Sequence, residues 1–444
     1  MTPHRNFLLA ASTAILLMGA VCPAFAAETN AAISLDDQAA APKSNFARDR
    51  NVSVSARPHP DYQAPGIRMG SFLLYPKLTP SLESNDNIFA QKSAKTSDTI
   101  WRVQPELTLS SDWNTHAVSL YARGSLNRFS KNDSENTDDY SFGANGRLDV
   151  ARDSAINGGL SFGKATEPRT SPDTPTGAIE PTRYQQTSGN LSYSKEFNRL
   201  KISGRVGSDK YNYQDVATKA YPKVPKIDQD FRDRTETAVS GRADYAISPA
   251  TALFVEVVGN NRNYRLDKPA VSLTRDSKGV NVYGGANFEL TALLRGEIGM
   301  GYMKQNYKDP TQKDVSGFGA RALVEWFPTE LTTVTLSGSR SIKDSAALKV
   351  TSYISNSISL RLDHELLRNL ILGGNIGSTT DDYQGSTRQD KVMTAGVRGT
   401  YLINRNVGLT AGYAYEKRTT SGLAADRGAE YTVNKVTGGL NLQF

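Results

Sequence analysis

Val436-Thr437-Gly438-Gly439-Leu440-Asn441-Leu442-Gln443-Phe444 closes the chain. Val436, Leu440, Leu442 and Phe444 fall on one side of an extended backbone. Thr437, Gly439, Asn441 and Gln443 fall on the other. A period of two with one apolar and one polar face predicts a β-strand.

The preceding runs repeat the pattern. Val407, Leu409, Ala411, Tyr413 and Tyr415 alternate with Gly408, Thr410, Gly412, Ala414 and Glu416, and Met393, Ala395, Val397 and Tyr401 alternate with Thr394, Arg398 and Thr400. Working back gives eighteen segments: 69–85, 98–111, 116–130, 138–151, 155–166, 183–195, 200–214, 232–247, 251–266, 277–290, 294–307, 315–326, 330–342, 350–364, 369–380, 388–403, 406–418 and 429–444. The expected fold is all-β.

The connectors alternate in length. Asp86–Thr96, Lys131–Thr137, Glu167–Thr182, Asp215–Phe231, Asp267–Asp276 and Thr419–Gly428 are long. Asp112–Thr115, Arg152–Ser154, Phe197–Arg199, Ser248–Ala250, Pro328–Glu330 and Asn404–Asn406 are short. A soluble sandwich has no reason to sort connectors by parity, but an antiparallel outer-membrane barrel has long loops on one rim and short turns on the other. The expectation is a transmembrane barrel of about 18 strands over residues 66–444, both ends on the periplasmic side.

In such a barrel the apolar face meets lipid. The inward set is then Arg102, Glu106, Arg123, Arg147, Asp149, Arg205, Arg242, Asp244, Glu289, Glu297, Arg321, Glu325, Arg361 and Arg398. A lumen bearing both signs of charge holds water. Its arginines serve either to bind acidic sugars through charge-assisted bonds or to pair with acids across the lumen. Aromatic side chains on the outward face collect near strand ends, where amphipathic rings favour the headgroup level. Trp101, Tyr140, Tyr302 and Tyr413 stand toward the long loops, and Tyr245, Phe288, Trp326, Tyr401 and Phe444 toward the short turns. The expected contacts are outer-membrane lipid and lipopolysaccharide. A last strand ending in Phe444 also suits reading by the barrel-insertion machinery.

The N-terminus differs in character. Arg5, the apolar run Phe7–Val21 and Ala24-Phe25-Ala26 form a secretory signal over 1–26. Residues 27–65 are rich in Ala, Asp, Ser and Pro without periodicity and are expected to be a flexible periplasmic arm. No run of 18 apolar residues follows, so no membrane-spanning helix is expected.

The 444 residues carry +7 net charge and are 38% hydrophobic, with 20 Tyr and 36 Gly but one Cys and four His. Cys22 lies in the signal, which leaves neither a disulfide framework nor a Cys-based metal site. Basic residues are interleaved with acids, against a nucleic-acid role. Outer-membrane hydrolases need a His beside a nucleophile or water. The barrel region has only His116 and His364, both near short turns, so no catalytic residues and no enzyme activity are expected. Asp138-Asp139 and Asp381-Asp382 match no calcium loop, and the Gly-Gly pairs at 158, 284, 373 and 438 lack a following Lys-Ser/Thr. No cofactor or metal is expected.

Several stretches are similar to a known family. They are Ser71-Phe72-Leu73-Leu74-Tyr75-Pro76, Asp86-Asn87-Ile88-Phe89, Leu109-Ser110-Ser111-Asp112-Trp113, His116-Ala117-Val118-Ser119-Leu120, Asp139-Tyr140-Ser141, Gly146-Arg147-Leu148-Asp149-Val150, Ser171-Pro172-Asp173 and Glu180-Pro181-Thr182. Over about 71–444 the chain resembles the Gram-negative outer-membrane family "putative β-barrel porin 2". That resemblance implies an outer-membrane barrel. Members like this one accompany exopolysaccharide or capsular polysaccharide export, which implies a periplasmic polysaccharide export protein as partner. It transfers no functional residues. Two other functions stay open: a diffusion porin for small solutes, and a non-conducting surface scaffold or adhesin.

Overall fold

The computed structural model describes residues 52–175, 177–218, 226–265, 274–346 and 350–444. The signal segment 1–26 and residues 27–51 of the arm lie outside the described residues. Eighteen long strands follow in order. They are β1 (Phe72–Asn85), β2 (Asp98–Ser111), β3 (Ala117–Phe129), β4 (Thr137–Ala151), β5 (Ser154–Thr166), β6 (Arg183–Phe197), β7 (Leu200–Tyr213), β8 (Arg234–Ser248) and β9 (Thr251–Tyr264). The remainder are β10 (Ser277–Leu290), β11 (Leu294–Tyr307), β12 (Val315–Thr329), β13 (Thr332–Asp344), β14 (Ser352–Leu367), β15 (Leu370–Tyr383), β16 (Gln389–Leu402), β17 (Val407–Ser421) and β18 (Tyr431–Gln443).

Each strand pairs antiparallel with the next, and β1 pairs with β18, which closes the sheet into a barrel. Closure removes the open edges whose backbone groups would be unsatisfied in lipid. The eighteen expected segments coincide with the eighteen strands, with ends shifted by up to three residues. β8 begins at Arg234, not 232, because Asp230–Arg232 forms a turn of 3-10 helix. A short strand, Ile67–Met69, folds back on β1, with Ile67 opposite Leu74. The long/short alternation holds right around the ring, with both ends of the barrel segment on the short-turn rim.

The closing seam is interrupted. Lys77 and Leu78 pair with Gln443 and Leu442, and Ser81 pairs with Gly439, but Thr79 and Pro80 have no partner across it. Proline lacks the N–H that a ladder needs. Beyond the gap, the Phe444 amide donates to the Pro76 carbonyl at 3.1 Å.

The two faces separate cleanly. Large apolar side chains stand exposed on the outside, among them Leu107, Leu160, Val255, Ile298, Met300 and Leu360. All nine expected girdle aromatics lie on this face. Trp101, Tyr245, Tyr302, Trp326, Tyr401, Tyr413 and Phe444 are exposed, and Tyr140 and Phe288 are half-buried. The buried residues are mostly polar and point inward, Asp244, Glu297, Asp363 and Gln305 among them. A soluble barrel would have the faces reversed.

Candidate functional site

The inner wall is lined by ion pairs within strands and between neighbouring strands. In β-strands, side chains at i and i+2, and those opposite across a ladder, share a face. Arg102 pairs with Glu83 at 3.2 Å, Arg123 with Glu106 at 3.1 Å, Arg147 with Asp149 at 2.8 Å, Arg295 with Glu325 at 2.6 Å and Arg361 with Asp363 at 2.7 Å. Arg398 and Asp363 both lie over Gly373. Glu289 stands opposite Arg295. Arg205 faces inward near Asp209, its Nε without a hydrogen-bond partner. All fourteen charged residues singled out from the sequence therefore lie on the inward face.

Two arginines and three acids concentrate on one side. The Arg242 guanidinium donates to Asp244 at 2.7 Å and to both oxygens of Glu297 at 2.7 and 3.0 Å. Arg321 donates to Glu256 and to Glu297 at 3.1 Å. The Phe254 ring lies beneath them, 3.9 Å from the Arg242 guanidinium carbon. It lies flat against the wall because Gly285 and Gly299, its neighbours along the sheet, have no side chains. A Cβ on Gly285 would meet that ring at 2.7 Å.

Toward the long-loop rim the lumen changes from ionic to aromatic. Tyr184, Tyr211, Tyr213, Tyr307, Tyr353, Tyr383 and Tyr431 are all buried and inward-facing. Guanidinium groups lie over several of their rings: Arg232 over Tyr213 at 4.0 Å, Arg234 over Tyr211 at 4.3 Å and Arg388 over Tyr383 at 4.2 Å. Such stacking is a cation–π attraction. The sequence reading assigned aromatics to the outer face only and missed this belt. Parity was the available signal, since Tyr211 and Tyr213 share the register of Arg205 and Asp209.

The loop between β5 and β6, residues 167–182, reaches over this mouth. Arg169 forms a two-armed pair with Glu135 in the loop after β3, and Glu167 pairs with Arg232 in the loop after β7. The Thr170 carbonyl accepts from Arg418 at 3.1 Å and from the Tyr431 hydroxyl at 3.2 Å. Asp173 accepts from the Ala346 amide at 2.9 Å, eight strands away around the ring. The loop thus touches the rim on several sides. Burial alone would lower the pKa of Arg232, but the adjoining Glu167 carboxylate overrides it and holds the guanidinium above its ordinary value.

The opposite rim holds the described end of the arm. Val54 is 1% exposed, and its amide donates to Thr333 Oγ1 at 3.0 Å. Arg57 pairs with Glu365 at 2.7 Å and donates to the Glu330 carbonyl. Residues 52–57 are therefore seated in the short-turn end of the lumen.

The remaining candidates are structural in geometry. His116 Nδ1 accepts from the Asp149 amide at 3.1 Å, and His364 Nδ1 lies 2.9 Å from Thr332 Oγ1. Asp138 and Asp139 point to opposite faces of β4, as do Asp381 and Asp382 of β15, so neither pair converges on one ion. The four Gly-Gly pairs lie within strands. Asp215, Asp228 and Asp230 do converge, with carboxylate oxygens within 4.8 Å, at the base of the loop after β7.

A closed antiparallel barrel with a lipid-compatible exterior and a charged interior defines an outer-membrane channel-type protein. The family model "Putative beta-barrel porin 2" matches residues 59–444, and the chain belongs to that family. No curated protein matches. Among solved structures, the chain is similar to OpdL of Pseudomonas aeruginosa at 12% identity, covering 85% of this chain and all of that one with a TM-score of 0.45. It is similar to the outer membrane protein OpdK of the same organism at 14% identity, covering 84% and 99% with a TM-score of 0.45. It is also similar to the copper transporter OprC at 10% identity, covering 85% and 82% with a TM-score of 0.47.

Proposed function

We propose that the barrel is a capped outer-membrane passage for export of an extracellular or capsular polysaccharide. The observation that carries this reading is the sequence of linings along the lumen: ion pairs on the wall, then a belt of tyrosines and arginines beneath a loop that reaches over the mouth. Tyrosine faces suit the C–H faces of sugar rings, and charged side chains supply hydrogen bonds to hydroxyls. A chain moving past them exchanges one set of weak contacts for the next. The barrel acts as a passage and not as a catalyst, and a periplasmic export protein delivers the polymer to the short-turn rim. Residues 52–57 stand at that rim, where such a partner would dock.

The test is the amount of extracellular polysaccharide made by a deletion strain with and without a plasmid copy. Loss restored by the plasmid supports export. Unchanged secretion removes the polysaccharide claim. A general diffusion porin is the second reading, favoured by the water-holding lumen. Steady bilayer conductance with no response to sugars would select it.

A further inference from the structure

The loop over the mouth brings its own carboxylate into the arginine–tyrosine belt. Besides accepting from the Ala346 amide, Asp173 lines one cavity with Arg232, Arg234 and Arg275, and its charge also acts on Arg388. These groups arise from the loop after β7, the start of β8, the lead into β10 and the lead into β16. Several separate stretches of chain thus converge on one loop carboxylate. A polar cavity of about 80 Å³ adjoins it, bordered by Arg232, Arg234, Arg275, Tyr213 and Tyr264 together with Glu167 and Asp344. At about 30 Å³ per water, that space suits two or three waters or one small polar group. Burial pulls the Arg275 guanidinium below its ordinary pKa, and the attraction of Asp173 and Asp344 does not restore it. Arg232, Arg234 and Arg275 face Glu167, Asp344 and Asp173 there, and withdrawal of Asp173 leaves the seat one negative charge short.

We propose that this seat binds the carboxylate of an acidic sugar residue, a uronate, in the transported chain, and that Asp173 occupies it in the resting barrel as an internal stand-in. This deepens the export reading and rests on it. A uronate offers what the guanidinium groups of the seat recognise, a carboxylate. A neutral sugar offers none and does not displace Asp173. Displacement of Asp173 releases the loop from Ala346 and loosens the cap on that side of the mouth, so the cap responds to the charge of its cargo.

The test uses the full-length mature barrel in planar bilayers and in titration calorimetry, with hexagalacturonate as the acidic probe and maltohexaose as the neutral one. Wild-type barrel is expected to open in hexagalacturonate and not in maltohexaose. D173N is expected to conduct without ligand and to bind hexagalacturonate about tenfold more tightly, because the loop no longer brings a competing charge to the seat. D173E retains the wild-type behaviour. R275Q, once shown to run as a folded barrel on unheated gels, loses the acidic response. Wild-type conductance and affinity in D173N would overturn the proposal, as would an equal response to maltohexaose. A deletion strain with normal secretion, alongside these bilayer results, would remove export and leave the anion seat. Lost secretion with an inert D173N would do the reverse.

Discussion

Arg242 on β8 grips Glu297 on β11 with two hydrogen bonds, spanning the two strands between them. At about 4.8 Å per strand, the backbones are roughly 14 Å apart along the wall. The curvature of the barrel and the length of arginine close that distance over the face of Phe254. The pair acts as a strut across a bent sheet, and it is 10% and 2% exposed at its two ends.

Removing one end should therefore cost more than removing both. R242A takes the Arg242 cation from buried Asp244 and leaves Glu297 with Arg321 alone, and breaking such a pair costs about 3–5 kcal/mol. The double variant R242A/E297A should recover part of that loss. Urea unfolding in lipid vesicles measures both. Equal loss in the single and double variants would count against a strut.

The wall beneath the strut should tolerate no added methyl. In G285A the new Cβ would lie 2.1 Å from the Ile298 carbonyl and 2.7 Å from the Phe254 ring. Overpacking of this kind costs about 1–3 kcal/mol. At Gly241, on the lipid side of β8, nothing lies within 4 Å of the corresponding position. G241A should fall within about 0.5 kcal/mol of wild type in the same measurement.

A charge placed on the outer face should be costly where the same charge on the inner face is accepted. Leu360 lies near the middle of β14 and is exposed outward. L360R should lose about 2–4 kcal/mol, as for a lipid-facing arginine at mid-depth. Arg361, one residue on, carries that charge inward against Asp363. Comparison of folded fractions after insertion into vesicles checks the sign.

Loosening the cap should raise conductance. Deleting 168–181 removes the contacts of Arg169, Thr170 and Asp173 across the mouth. The milder E135Q weakens the anchor of Arg169 and should give a smaller rise. Single-channel recording that shows no change in the deletion would end the idea of a cap at this loop.

At the short-turn rim, R57A should release the described end of the arm, which is held by Glu365 and the Glu330 carbonyl. Proteinase K should then cleave before Gly66 faster than in wild type, leaving the barrel intact on gels. Unchanged cleavage would show that the Val54–Thr333 contact suffices.

Much of this architecture was legible because a membrane barrel repeats one local rule. In β17, Leu409 and Tyr413 face out and Thr410 and Gly412 face in, a choice made by the solvent on each side. Strand number and the alternation of loop lengths follow from the same rule applied eighteen times. The inward charges, Arg242 and Arg321 among them, were found by strand parity, with the secretory signal, loop lengths and aromatic positions deciding which face turns in. Their partners were not, since Arg242 chooses Glu297 through curvature that a linear sequence does not display. The tyrosine belt was missed because Tyr211 and Tyr307 look, residue by residue, like any rim aromatic. The seat of Asp173 was further out of reach. Its loop carries Pro168, Pro172, Pro175 and Pro181, which announce bends without a direction. Its contact with Ala346 spans 173 positions of chain.

The pairing of β1 with β18 also dictates how the molecule is made. Every other ladder joins strands that are consecutive in the chain and can zip as they emerge. The closing one joins Lys77 to Gln443 and needs strands from opposite ends of the barrel segment together. The ring is thus a clasp with a single fastening order. Because contacts of such separation are entropically slow to form, the unfinished sheet keeps two open edges until the very end. A chain truncated by one strand would be no smaller ring. It would be an open ribbon, exposed to any other strand nearby, so closure depends on both the first and the last strand.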